Sequence, residues 1–75
     1  MPIVNQVPSL VANRFGGADK INLSQVERET GLNYITVSRW IKGQVDRADF
    51  PTLAIWCKYL GVGVGDILVY EPADD

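Results

Sequence analysis

The stretch GLNYITVSRWIKGQ, Gly31 to Gln44, decides how this chain is read. Asn33 is a good helix N-cap, because its side-chain oxygen can accept from an amide that the first helical turn leaves unpaired. Leu32 just before that cap and Val37 four positions after it match a hydrophobic staple, which fixes the angle at which the chain comes into the helix. Gly43 then ends it. Val37, Trp40 and Ile41 form one apolar stripe of this helix, suited to burial. Tyr34, Ile35, Ser38, Arg39 and Lys42 remain on the other side, within one arc, because residues 34, 38 and 42, and likewise 35 and 39, stand four apart.

Upstream, Asn22 can cap LSQVERET, in which Leu23 and Val26 point one way while Glu27, Arg28 and Glu29 are mostly solvated, and Gly31 terminates the segment. Only Gly31, Leu32 and Asn33 lie between the two helices. That connection is too short for antiparallel side-by-side packing and suits the steep crossing of a helix-turn-helix spanning about residues 22–43. Further upstream, PSLVANRF puts Val7, Leu10, Val11 and Phe15 on one face, with Pro8 tolerated in the first turn and Gly16 and Gly17 stopping the helix near Phe15. Downstream, QVDRAD is a polar loop, Asp49 is the expected cap of FPTLAIWCKYL, and Leu53, Trp56, Cys57 and Leu60 follow the spacing of a core-facing stripe. A short helical turn is expected at Asp66 to Leu68. ILVYEP and PIVN have strand-like composition and should pair with each other or across a dimer, since neither is stable alone. The fold class expected is all-α, four to five compact helices in one domain over residues 1–75, with short terminal β-strands.

Composition narrows the function. A chain of 75 residues buries only roughly 60 to 65% of its unfolded surface, which leaves little room for an enclosed active site. Its apolar fraction of 47% and charged fraction of 21% are those of a folded domain. There is no histidine, so the commonest general base and the Ser-His and Cys-His pairs are absent, and the carboxylates form no pair at a catalytic spacing. An enzyme is not expected. The single cysteine, Cys57, excludes an intramolecular disulfide, and no Cys/His cluster suggests zinc; no cofactor is expected. MPIVNQVPSL lacks the basic and apolar regions of a signal peptide, and no run of about 18 apolar residues occurs, so a cytoplasmic protein without membrane attachment is expected.

The net charge of -2 argues at first against a nucleic-acid partner. It is unevenly distributed, however. Residues 1–65 carry all seven basic side chains and five acidic ones, while residues 66–75 carry Asp66, Glu71, Asp74 and Asp75 with no basic partner. The acidity is therefore largely a property of the tail, about residues 71–75, whose roles include solubilisation, masking of a basic face or binding of a partner.

With these elements placed, VERETGLNYITVSRWIKG followed by TLAIWCKYLGVGVGDIL resembles the lambda-repressor/Cro-type (XRE-like) helix-turn-helix family, over about residues 7–70. The resemblance implies a small sequence-specific regulator of transcription, a repressor in the simplest case, whose second helix-turn-helix element enters the major groove of double-stranded DNA. On that reading Asn33, Tyr34, Ile35, Ser38 and Arg39 face base edges. Arg39 can donate two hydrogen bonds to guanine, Ser38 can bond several bases, and Tyr34 or Ile35 can touch a thymine methyl. Lys42, Gln44 and Arg47 hold phosphates and fix register. The family usually has a glutamine where Leu23 stands and favours a small residue where Glu27 stands; with the second helix frayed or shifted, Ser24 or Gln25 would take the phosphate role. One such domain touches few base pairs, so a homodimer on a near-palindromic operator is expected, using terminal segments, the closing turn or exposed apolar residues such as Tyr59 and Val64. The alternative is a protein-interaction module of antitoxin or adaptor type that keeps the fold with weak or no DNA binding. Taken alone, Arg39 and Lys42 also fit an ordinary solvated face, and Tyr34 and Ile35 fit burial against the first helix or a partner chain.

Overall fold

In the computed structural model, which describes residues 3–71, the chain runs β1 (Ile3–Asn5), α1 (Val7–Phe15), a single 3-10 turn (Ala18–Lys20), α2 (Leu23–Thr30), α3 (Tyr34–Ile41), α4 (Phe50–Leu60), α5 (Val64–Ile67) and β2 (Leu68–Tyr70). Three polar side chains set the starts of the central helices. Asn22 Oδ1 accepts from the Gln25 N–H at 3.1 Å, Asn33 Oδ1 from the Thr36 N–H at 2.8 Å, and Asp49 Oδ2 from the Thr52 N–H at 3.3 Å. Each satisfies a donor that the first turn cannot pair internally. Gly31 closes α2 with φ +80°, a left-handed conformation that side chains bearing a Cβ resist, and its N–H returns to the Glu27 carbonyl.

Every helix contributes to one core. Val7 and Val11 of α1, Val26 of α2, Val37 and Trp40 of α3, Leu53 and Trp56 of α4 and Ile67 of α5 are all buried. Leu10, Phe15, Leu23, Leu32, Ile41, Cys57 and Leu60 pack against them half-buried. The periodic positions in the sequence thus meet at a common centre, because each helix buries a stripe it cannot cover alone. Two tryptophans join α3 to α4, with ring centroids 6.1 Å apart and planes tilted by 54°. Geometry of that kind adds about 0.5 to 1.5 kcal/mol beyond area burial. The Trp56 ring also meets Tyr59 edge-on at 6.2 Å.

The two strand-like segments pair within the chain. They form an antiparallel ladder with Ile3 opposite Tyr70, Val4 opposite Val69 and Asn5 opposite Leu68. The Gln6 N–H donates to the Ile67 carbonyl at 2.7 Å just beyond it, so the start of α1 is tied to the end of α5.

Two placements differ from the sequence expectation. The closing turn is α5, Val64–Ile67, rather than Asp66 to Leu68, because the Asp66 carboxylate accepts from the Gly63 N–H at 3.1 Å and draws the helix start back. Leu68 is thereby released to open β2. The 3-10 turn between α1 and α2 has no counterpart in the sequence expectation; it contains no buried residue. Most of the acidic tail, residues 72–75, lies outside the described residues.

Candidate nucleic-acid interface

The α2–α3 pair has the short connection that the sequence implied, with Gly31, Leu32 and Asn33 between Thr30 and Tyr34. Leu32 and Val37 both join the core, which pins α3 at its start. Trp40 pins it one turn later, leaving only 3% of its surface exposed, and Ile41 is half-buried. What remains faces outward. Tyr34 is 45% and Ile35 65% exposed, Arg39 and Lys42 are exposed, and Ser38 is half-buried at the edge of the arc. Tyr34 and Ile35 are therefore not packed beneath α1, which was one structural explanation for apolar residues at this position.

The chain after α3 folds back on it. The Lys42 N–H donates to the Ser38 carbonyl and the Gln44 N–H to the Arg39 carbonyl, both at 2.9 Å. This turn brings Gln44 and Arg47 beside Arg39, around an open groove of about 240 Å³ also lined by Thr36 and by Asp49 and Thr52 of the α4 start. Among the described residues, no hydrogen bond engages the side chains of Arg39, Lys42, Gln44 or Arg47. The donors on this face are thus free to meet a ligand. Its charge is nonetheless mixed, since Asp46 and Asp49 line the same groove. Asp49 stays ionised, because hydrogen bonds from the Thr52 hydroxyl at 2.8 Å and the Thr52 N–H hold its carboxyl below the usual range.

Backbone amides at the helix starts add further donors. Thr36 and Val37 donate to Asn33, which leaves the N–H groups of Tyr34 and Ile35 at the head of α3. Gln25 and Val26 donate to Asn22, which leaves those of Leu23 and Ser24 at the head of α2. At α4, Thr52 and Leu53 donate to Asp49 and Pro51 has no N–H, so only Phe50 keeps one. Such amides suit anionic oxygens.

Around α2 the geometry accounts for the departures noted in the sequence. Leu23, standing where the resemblance has a glutamine, packs onto the core. Ser24 is exposed, whereas Gln25 is half-buried and its Nε2 donates to Glu29 Oε2 at 3.2 Å. That bond turns the Gln25 amide along its own helix. Glu27 is half-buried.

Three features had no signal in the sequence. Asn5, in β1, donates through Nδ2 to the Trp40 carbonyl at the end of α3, at 3.0 Å. Phe50, the first residue of α4, is 86% exposed next to Asp49 of the groove. On another side of the molecule Tyr59 is taken up by a cluster: its hydroxyl donates to Glu29 at 2.7 Å, and the Arg14 guanidinium lies 4.5 Å over its ring and donates to its carbonyl. Tyr59 is therefore half-buried rather than free for a partner, unlike Val64, which is 49% exposed. The Tyr59 hydroxyl, then the Gln25 amide, lower the Glu29 pKa; burial, then the bond to Glu29, raise that of Tyr59.

Among the described residues no group of three or more His, Cys, Asp or Glu gathers to hold a metal ion, and no helix is long and apolar enough to cross a membrane. No significant match was found among curated proteins or solved structures. A family match covers residues 14–73, from the end of α1 through the helix-turn-helix, α4 and α5 to beyond the last strand. Covering four-fifths of the sequence and the elements that frame the exposed arc of α3, it establishes that the chain belongs to the Cro/C1-type HTH DNA-binding domain family.

Proposed function

We propose that the protein is a cytoplasmic, sequence-specific regulator of transcription, a repressor, that binds double-stranded DNA as a homodimer on a near-palindromic operator. Family membership gives DNA binding and a regulatory role. The observation that carries the finer reading is the outward arc of α3, where Tyr34, Ile35, Arg39 and Lys42 are exposed beside side-chain donors that no other residue occupies. A helix presented in this way fits a major groove about 12 Å wide. Arg39 reads guanine, Ser38 and Asn33 bond neighbouring bases, and Tyr34 and Ile35 meet thymine methyls. Lys42, Gln44 and Arg47, with Ser24 and the free amides at the α2 start, hold phosphates. Gln25 joins them only by giving up its bond to Glu29.

Homodimerisation fits the exposed apolar residues Ile3 (48%), Val64 (49%) and Tyr70 (63%), two of which face each other across the terminal sheet. In such a dimer the two α3 helices lie about 34 Å apart, one turn of the duplex.

A salt titration of duplex binding tests this. The expected result is a preference for one sequence together with a steep loss of affinity between about 50 and 200 mM salt. Absence of binding at low salt would overturn it in favour of a protein-interaction module.

A further inference from the structure

We infer that Asn5 is a positioning residue for DNA recognition, locking the C-terminal end of the recognition helix to the terminal sheet. This rests on the reading that α3 enters the major groove. Asn5 uses both ends of its amide: Nδ2 donates to the Trp40 carbonyl at 3.0 Å, and Oδ1 accepts from the Val7 N–H at 3.0 Å, at the start of α1. Its backbone meanwhile pairs with Leu68 of β2. One half-buried side chain thus joins β1, α1 and α3, across 35 residues of sequence in the last case.

The carbonyl it holds is one of the last four of α3, which have no partner within the helix. The Gly43 N–H reaches the Trp40 carbonyl only at 3.3 Å, so Asn5 supplies its shorter bond. Among the described residues this is also the one hydrogen bond between α3 and an element that is not its neighbour in sequence. The other anchors of α3 are the apolar side chains of Val37, Trp40 and Ile41. Apolar burial opposes separation but has no direction, whereas a hydrogen bond fixes distance and angle. Rotation or sliding of α3 about its axis is what the Asn5 bond restrains. Arg39 directly precedes Trp40 and Lys42 lies two residues beyond it, so a shift of this end moves both. A displacement of that kind spoils bidentate base contacts, which demand close geometry, while leaving phosphate attraction almost intact.

The test compares Asn5→Asp and Asn5→Ala with the unchanged protein for affinity to a selected operator duplex and to a scrambled duplex at the same salt. Aspartate keeps the acceptor for the Val7 N–H and removes the donor to Trp40; alanine removes both. The ratio of the two affinities is the readout, because partial unfolding or added charge scales both alike. The expected result is a three- to tenfold fall in that ratio for both variants, the effect of about one hydrogen bond. An unchanged ratio, with the unchanged protein still preferring its operator, would overturn the positioning role alone. If the unchanged protein preferred no duplex, the functional reading would fail and this inference with it.

Discussion

Asn33 caps α3 and is also proposed to contact DNA, and the two roles separate by substitution. Its Oδ1 accepts from the Thr36 N–H at 2.8 Å, the shortest of the three backbone cap bonds at the helix starts. Asn33→Ala leaves that donor to water and should cost about 1 kcal/mol, within the usual range of roughly 0.5 to 2 for a lost N-cap. For a domain of this size that corresponds to a fall of about 4 to 8 °C in melting temperature. Asn33→Ser keeps an oxygen for Thr36 and should stay within a few tenths of a kcal/mol of the original. Thermal and denaturant unfolding followed by circular dichroism measure both. A melting temperature for Asn33→Ala equal to that of Asn33→Ser would refute the capping argument. Operator affinity then isolates the second role: Asn33→Ser, folded but without its amide, should bind operator more weakly, and undiminished affinity would confine Asn33 to capping.

Gly31→Ala should cost about 1 to 2 kcal/mol purely through its φ of +80°, since an added Cβ would meet nothing within 4 Å; Gly31→Asn should cost less, and equal stability of all three proteins would contradict the backbone argument. Lys42→Ala and Arg47→Ala should each weaken all duplexes alike and reduce the slope of log affinity against log salt by about one; an unaltered slope removes the residue from the phosphate contacts. Stability should also fall with pH in the acid range. Glu29 and Asp49 have lowered pKa values in the folded protein, so their contribution is complete above the ordinary carboxylate range of about 4 and is lost as pH drops through the lowered values. Tyr59 is raised, so its contribution is lost only as pH rises beyond about 10. Tyr59→Phe removes the bond to Glu29 and should make both limbs of the stability profile shallower; an identical profile would show that this cluster does not couple folding to protons.

The parts of the fold legible in the sequence are those governed by local chemistry. Asn22, Asn33 and Asp49 cap the helices they precede, and Gly31 ends α2, because a cap involves residues only a turn apart. The core was legible for a related reason: Val7, Val11, Val26, Val37, Trp40, Leu53 and Trp56 all stand at helical spacing. The outward arc of α3 then follows by subtraction. Contacts between residues distant in sequence left no such trace. Tyr59 reads as an exposed aromatic until Arg14 from α1 and Glu29 from α2 are brought to it by the packing of three helices. Asn5 reads as a polar residue in a short strand, and its partner Trp40 lies 35 positions away. Composition alone leaves strand pairing open between intramolecular and dimeric, because it specifies a neighbour without naming it; in the structure Ile3 pairs with Tyr70 within the chain. Gln25 illustrates competition, for the side chain suited to a phosphate also meets Glu29 four residues on.

On the proposed function, α3 reads bases through Arg39. Selection of bound duplexes from a random pool, run in parallel on the unchanged protein and on Arg39→Ala, tests that role. The expected result is a near-palindromic preferred site for the former, and for the latter the same site with preference relaxed at one base pair of each half. Identical preferences at every position would contradict it.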